Sequence, residues 1–202
     1  MDLPYMESVW WAFKTLYEKG KIYEGYKVLM YDTKFATPVS KAEVTMDNYA
    51  YQTVTDPSVY TKFHVKAGQE WANGRYKTQD AVYIVAWTTT PWTLPGNTAL
   101  AVGKDISYTA LRINGVAELL IVAKSRVDHV FGQEDVEIVH DDITGDDLVG
   151  LEYDPLFEPE ENDMNMNGWK VLAAEFVEDE GGTGIVHIAP AYGEADFDLA
   201  EA

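Results

Sequence analysis

From Tyr60 to Val65 apolar and polar positions alternate, with Thr61, Phe63 and Val65 on one side and Tyr60, Lys62 and His64 on the other. That period of two predicts a half-buried strand. Residues 81–87 are apolar, β-branched or aromatic without a break, which predicts a largely buried strand running on to Thr88. Further strands are expected over 106–113, 118–123, 136–140, 170–177 and 184–188, and one over 22–31. A helical period instead governs Met6, Val9, Phe13, Leu16 and Tyr17. With Pro4 in the first turn and Gly20 at the C-terminal cap, it predicts a helix over 4–19. Trp10 and Trp11 make that helix unusually aromatic; they read equally as a docking surface or as ordinary packing. A short helix is expected over 125–131 and another from Gly193 onward. Residues 32–44 and 155–168 read as loops.

Many strands and few helices predict an α+β, mainly β fold: a mixed, mostly antiparallel, barrel-like domain with a few peripheral helices. We expect two parts, a helix–strand segment over 1–45 and a β-rich domain over 46–202. The chain has 202 residues, 47% of them hydrophobic, enough for one substantial core plus an appended segment. The absence of cysteine excludes disulfides and thiolate metal sites and fits a reducing compartment. No apolar run approaches the roughly 20 residues that span a bilayer, and no signal peptide is visible, so a soluble protein is expected.

The candidate chemistry sits at a strand end. Thr88, Thr89 and Thr90 follow the buried run, and Pro91 must end the ladder because it has no N–H to donate. Alternation sends Thr88 and Thr90 one way and Thr89 the other. Pro95 and Gly96 then tighten a loop that carries Trp92, Thr93 and Asn97. Threonine is also a good strand residue, so this segment alone is compatible with plain structure. A second segment changes the balance: Gly181-Gly182-Thr183-Gly184-Ile185-Val186-His187-Ile188-Ala189-Pro190, followed by Gly193 and Asp196.

Together, Thr-Thr-Thr-Pro-Trp-Thr-Leu-Pro-Gly-Asn over 88–97 and Gly-Thr-Gly-Ile-Val-His-Ile-Ala-Pro over 182–190, with Asp196 beyond, resemble the editing domain of isoleucyl-tRNA synthetases. Valyl and leucyl relatives share a threonine-rich strand end but usually continue with Arg-Pro-Glu or Arg-Pro-Asp, not Pro-Trp-Thr-Leu-Pro. The resemblance extends along the chain through Glu7–Lys14, Gly25–Val28, Thr37–Ser40, Asp56–Tyr60 and Tyr153–Phe157. Many relatives carry cysteine near Lys34, Phe35 and Ala36; this chain has none, so no metal site is carried over and no cofactor is expected. The His-x-Gly-His and Lys-Met-Ser-Lys-Ser signatures are absent too, so ATP-dependent activation is not expected of this piece.

The resemblance implies hydrolysis of valine wrongly esterified to the isoleucine tRNA. One methylene is worth only about 1–3 kcal/mol to a pocket, a limit for which these synthetases are themselves the standard illustration. By the resemblance, Asp196 holds the substrate ammonium from the first turn of a helix, where the dipole favours its ionised form. His187 and Thr90 wall the side-chain pocket, with His187 either a wall alone or also a catalytic residue that aligns the attacking water. Thr88, Thr89, Thr90 and Asn97 bond the ester, the terminal adenosine and the attacking water, with Trp92, Thr93 and Gly184 adding substrate contacts. No Ser-His-Asp or Cys-His arrangement is legible, so direct water attack is expected.

The charge is unusual for a protein that handles RNA: 34 acidic residues stand against 15 basic, a net of −19. Beyond Arg126 the single basic residue is Lys170. Phosphate contact must then come mainly from the first 126 positions. The expected partners are the 3′ end of the isoleucine tRNA carrying valine and the rest of a parent synthetase. The setting is a cytoplasmic monomer without membrane contact. Two alternatives remain at this point: a valyl- or leucyl-type editing domain, and a non-catalytic module that binds a tRNA end or another protein.

Overall fold

A computed structural model describes residues 2–45, 53–72, 74–78, 81–159 and 167–202. The chain divides between Ser40 and Lys41 into two compact units; residues 46–52, just past the boundary expected at 45, lie outside the described residues. In the first unit the helix is α1, Leu3–Glu18. Its end is a Schellman motif, with Gly20 N–H donating to Tyr17 O (2.9 Å), Lys21 N–H to Leu16 O (3.0 Å), and Gly20 at φ +65°. None of the α1 residues is buried.

The strand expected over 22–31 is mostly absent. Only its end pairs, as β1 (Met30–Asp32) against β2 (Thr37–Val39). The reversal between them is held by Asp32 Oδ1, which accepts the N–H groups of Lys34 (2.8 Å) and Phe35 (3.1 Å). A strand exists only where a partner completes its ladder, and this partner reaches back no further than Met30. The expected loop over 32–44 therefore contains β2, and a short helix α2 (Lys41–Thr45) follows in the second unit.

The second unit is built on two sheets. The larger contains β3 (Val59–His64), β6 (Val82–Thr88), β8 (Ser107–Ile113), β9 (Leu119–Ala123) and β10 (Val136–Thr144) in the order β10-β8-β9-β6-β3. All its ladders are antiparallel except β6 with β9. The smaller places β7 (Ala99–Val102) between β11 (Lys170–Ala173), parallel to it, and β12 (Ile185–Ile188), antiparallel. A hairpin of β4 (Glu70–Trp71) and β5 (Tyr76–Lys77) stands beside them, and a one-turn helix α4 (Gly145–Leu148) follows β10. The expected mainly β, mostly antiparallel α+β class is observed. Among the described residues the sheets stay open, however, and no barrel closes.

One core joins the two sheets. Phe63, Ile84, Tyr108 and Ile121 from the larger meet Leu100, Val102, Val171 and Ile185 from the smaller. Behind the larger sheet, α3 (Val127–Phe131) covers Val85, Leu111, Leu120 and Val122. Behind the smaller, Leu199 of α5 (Glu194–Glu201) joins Ala99, Ala101 and Ile188. Tyr108 is fully buried and bridges the sheets, accepting Gly103 N–H (3.1 Å) and donating to Gly184 O (2.8 Å). Burial pushes its hydroxyl pKa up to about 12. Strand β7, unanticipated from the pattern, is buried along its whole length. Of the loop expected over 155–168, residues 160–166 lie outside the described residues.

Candidate active site

The two motifs meet where β6 leaves the larger sheet and β12 enters the smaller. β6 ends at Thr88, and a bend at Thr89 folds Thr90 against it: their Oγ1 atoms are 3.2 Å apart, and Thr88 Oγ1 accepts Thr90 N–H at 3.0 Å. Thr88 is buried while Thr89 and Thr90 are exposed. Pro91 opens a 3₁₀ turn to Gly96, which curls Thr93 back on Thr90. Thr93 N–H and Thr93 Oγ1–H both donate to Thr90 O, at 3.0 and 2.8 Å. A second acceptor position on Thr93 Oγ1 is thereby left for a donor from outside the turn.

That donor is His187. Its partner across the β7–β12 ladder is Leu100, and its Nε2 lies 2.8 Å from Thr93 Oγ1. On the other edge of the ring, Nδ1 lies 3.4 Å from Asn97 Nδ2. The orientation of the Asn97 amide is unambiguous, because the same nitrogen donates to Ala99 O at 2.8 Å and Oδ1 accepts the Tyr153 hydroxyl at 2.7 Å. Both edges therefore call for the neutral Nε2–H tautomer. Burial lowers the His187 pKa from its ordinary value, opposed in part by the negative charge of Asp196. The ring is a neutral donor at physiological pH.

Asp196 lies in the first turn of α5, with Gly193 at the N-cap. Its Oδ2 accepts Ala189 N–H at 2.9 Å, while Oδ1 has no partner among the described residues. A Cβ at Gly193 would sit 3.0 Å from Asp196 Cγ, so a larger residue there would crowd the carboxylate. The glycine-rich turn before β12 has its own steric reason. Gly184 has φ +72°, and a Cβ there would fall 2.4 Å from Ala123 Cβ. Gly182 has φ +57°, and a Cβ there would lie 3.0 Å from Trp87 Cε3.

These elements enclose a cleft of about 640 Å³. Thr88, Thr89, Thr90, Trp92, Thr93, Gly184, His187 and Asp196 all line it. Asn97 does not. It is buried behind His187, with its side-chain groups engaged by Tyr153, Ala99 and the ring. The lip carries Trp92 (57% exposed), Tyr192 (57%) and Phe176 (44%), a set of rings suited to stacking on flat π-systems. Among the described residues no group of three His, Asp or Glu side chains is placed to share a metal ion, and no helix is long and apolar enough to cross a membrane.

Residues 1–179 match the family described as tRNA synthetases class I (I, L, M and V). The chain belongs to the class I tRNA synthetases. Within this family it is 39% identical over 201 residues to a probable cytoplasmic isoleucine–tRNA ligase of Dictyostelium discoideum. It is also 40% identical over 198 residues to an isoleucine–tRNA ligase of Bdellovibrio bacteriovorus. Each alignment covers 98% of this chain and 17% of the relative, so the chain spans about a sixth of their length. The crystal structure of GlLeuRS-CP1 shares the fold, with a TM-score of 0.55 and 22% identity over 70% of this chain and 58% of that one.

Among the residues of this class I synthetase segment that line or support the cleft without having been anticipated are Phe176, Tyr192 and Tyr153. The first two lie outside any regular strand, and no local pattern distinguishes a lip aromatic from a core one. Tyr153 pairs only through an isolated bridge to Val65, and what makes it relevant is a contact 56 positions away.

Proposed function

We propose that this chain carries a hydrolytic editing site that removes valine mischarged on the isoleucine tRNA. The observation that carries the reading is the convergence of Thr88, Thr89, Thr90, a neutral His187 and a half-open Asp196 carboxylate on one cleft. Similarity to isoleucine–tRNA ligases supports the choice of valine and isoleucine as the pair to be discriminated. In this scheme Asp196 Oδ1 takes the α-ammonium of the ester, and the threonine hydroxyls orient the carbonyl and the attacking water. Trp92, Tyr192 and Phe176 offer faces on which the terminal adenine stacks.

Water adds to the ester carbonyl carbon, the bond to the ribose oxygen breaks, and that oxygen takes up the proton the water loses. With its Nε2–H committed to Thr93, His187 acts as a wall and not as the base. Positioning and the substrate's neighbouring ribose hydroxyl then supply most of the acceleration. Thr90 forms the opposite wall, and Asn97 contributes from behind the ring.

The proposed setting is a cytoplasmic, monomeric synthetase in which the exposed apolar residues of α1 pack on the remainder of the parent chain. Lys62, Lys66, Arg75, Lys104 and Lys124 are each matched to a carboxylate, so tight tRNA binding is assigned to that remainder. The deciding experiment presents preformed valyl and isoleucyl esters of the isoleucine tRNA to the 202-residue chain. Preferential release of valine supports the reading. Binding of both esters with hydrolysis of neither would leave a non-catalytic module.

A further inference from the structure

Behind the cleft a buried chain of hydrogen bonds runs Tyr153 → Asn97 → His187 → Thr93 → Thr90. The Tyr153 hydroxyl is fully buried and donates to Asn97 Oδ1 (2.7 Å). Asn97 Nδ2 reaches His187 Nδ1 (3.4 Å), His187 Nε2 reaches Thr93 Oγ1 (2.8 Å), and Thr93 Oγ1 donates to Thr90 O (2.8 Å). Its members come from three separate stretches of chain, the turn over 90–97, Tyr153 and His187, so the whole sequence of bonds exists only in the folded unit.

The direction of the chain is fixed at both ends. At one end, Ala99 O accepts one Asn97 Nδ2–H at 2.8 Å and the Tyr153 hydroxyl fixes Oδ1, so the second Nδ2–H is turned toward His187 Nδ1 (3.4 Å), with Ile188 O sharing it at 3.5 Å. At the other, Thr90 O consumes the one proton of Thr93 Oγ1. Between them only the Nε2–H imidazole satisfies every atom. Trp169 Nε1 adds a restraint by donating to Asn97 O (3.2 Å). Tyr153 supplies the hydroxyl that satisfies Asn97 Oδ1; without it a buried acceptor is left open and the amide loses its lateral brace.

We propose that Tyr153 is a positioning residue for the cleft. It touches no substrate, but through Asn97 it holds His187 in one tautomer and one ring orientation, and so keeps the pocket wall hard. The consequence for valine over isoleucine rests on the function proposed above; the tautomer itself does not.

The test uses the 202-residue chain with ¹⁵N-labelled histidine, the His187 signals being assigned by their loss in His187→Gln. Long-range ¹H–¹⁵N correlation at neutral pH is expected to show a protonated, pyrrole-type Nε2 and a bare, pyridine-type Nδ1. Tyr153→Phe removes one oxygen and keeps the ring that packs edge-on against Phe63. It is expected to populate the Nδ1–H form and to reduce the valine-over-isoleucine deacylation ratio roughly two- to tenfold, the range of a single lost hydrogen bond. Asn97→Asp is expected to place an acceptor at Nδ1, reverse the tautomer and move the His187 titration to higher pH.

A wild-type Nδ1–H tautomer would overturn the proposal. So would a folded Tyr153→Phe, verified by its melting curve, in which both the His187 spectrum and the ratio are unchanged. Should Tyr153→Phe fail to fold, an unmoved titration in Asn97→Asp would overturn it equally. If the spectra respond as expected while no protein hydrolyses either ester, the bond chain stands and the editing function fails.

Discussion

Replacing Asp196 separates its two oxygens. Oδ2 holds Ala189 N–H at 2.9 Å, and Ala189 is 1% exposed; Asp196 also lines the cleft, and its Oδ1 has no partner among the described residues. Asp196→Asn keeps an acceptor for Ala189 and removes only the charge meant for the substrate ammonium. Loss of a charge-assisted bond costs about 1.5–3 kcal/mol, or roughly 10- to 150-fold in kcat/KM for the valyl ester. Its melting temperature should stay near that of the wild type. Asp196→Ala loses the same binding and also strands the buried Ala189 N–H, which costs a further 1–3 kcal/mol or so of stability. For a chain of this size that corresponds to a drop of about 2–12 °C in Tm. Deacylation rates and melting curves for both variants complete the comparison. Wild-type kcat/KM in Asp196→Asn would refute the ammonium assignment. Equal melting temperatures for the Asn and Ala variants would refute the structural role of Oδ2.

Three further outcomes are expected. His187→Ala should let isoleucyl ester be destroyed, shifting the valine-to-isoleucine ratio by about ten- to a hundredfold, the scale of a relieved overpacking penalty; equal losses for both esters would contradict this. Because burial lowers the His187 pKa from about 6.5, the folded state takes up a proton less readily than the unfolded. Its contribution to stability is therefore complete above that pH and lost as the pH falls through the folded pKa. His140 shifts in the same direction by burial, so the acid limb should shrink in His187→Gln and shrink again when His140 is also replaced, as read from Tm against pH. Gly184→Ala forces a left-handed backbone on alanine and a 2.4 Å approach to Ala123. It should cost about 2–5 kcal/mol in urea unfolding, the sum of backbone strain and overpacking.

Much of the fold was legible where the physics is local. The alternation over Tyr60–Val65 located β3, whose Phe63 is fully buried, as is Val65 just beyond its end. The unbroken apolar run located β6, which is paired on both sides, by β9 and β3. Failures came where a partner decides. Residues 22–29 have strand-like composition but no ladder to join, whereas Ala99–Val102, half alanine and only four residues long, is a strand because β11 and β12 flank it.

The candidate site divides the same way. Sequence alone determined that a strand runs to Thr88, that a turn follows at Pro91, and that Asp196 lies in the first turn of a helix. Each depends on backbone geometry within a few residues. Only the tertiary structure decided that Thr93 meets His187 across 94 positions, that Asn97 lies behind the ring and not in the cleft, and that Tyr153 braces it. Those meetings follow from sheet order and register, Leu100 opposite His187 above all. Register is set by the burial of two whole faces at once, a sum over distant residues that no single stretch of the chain contains.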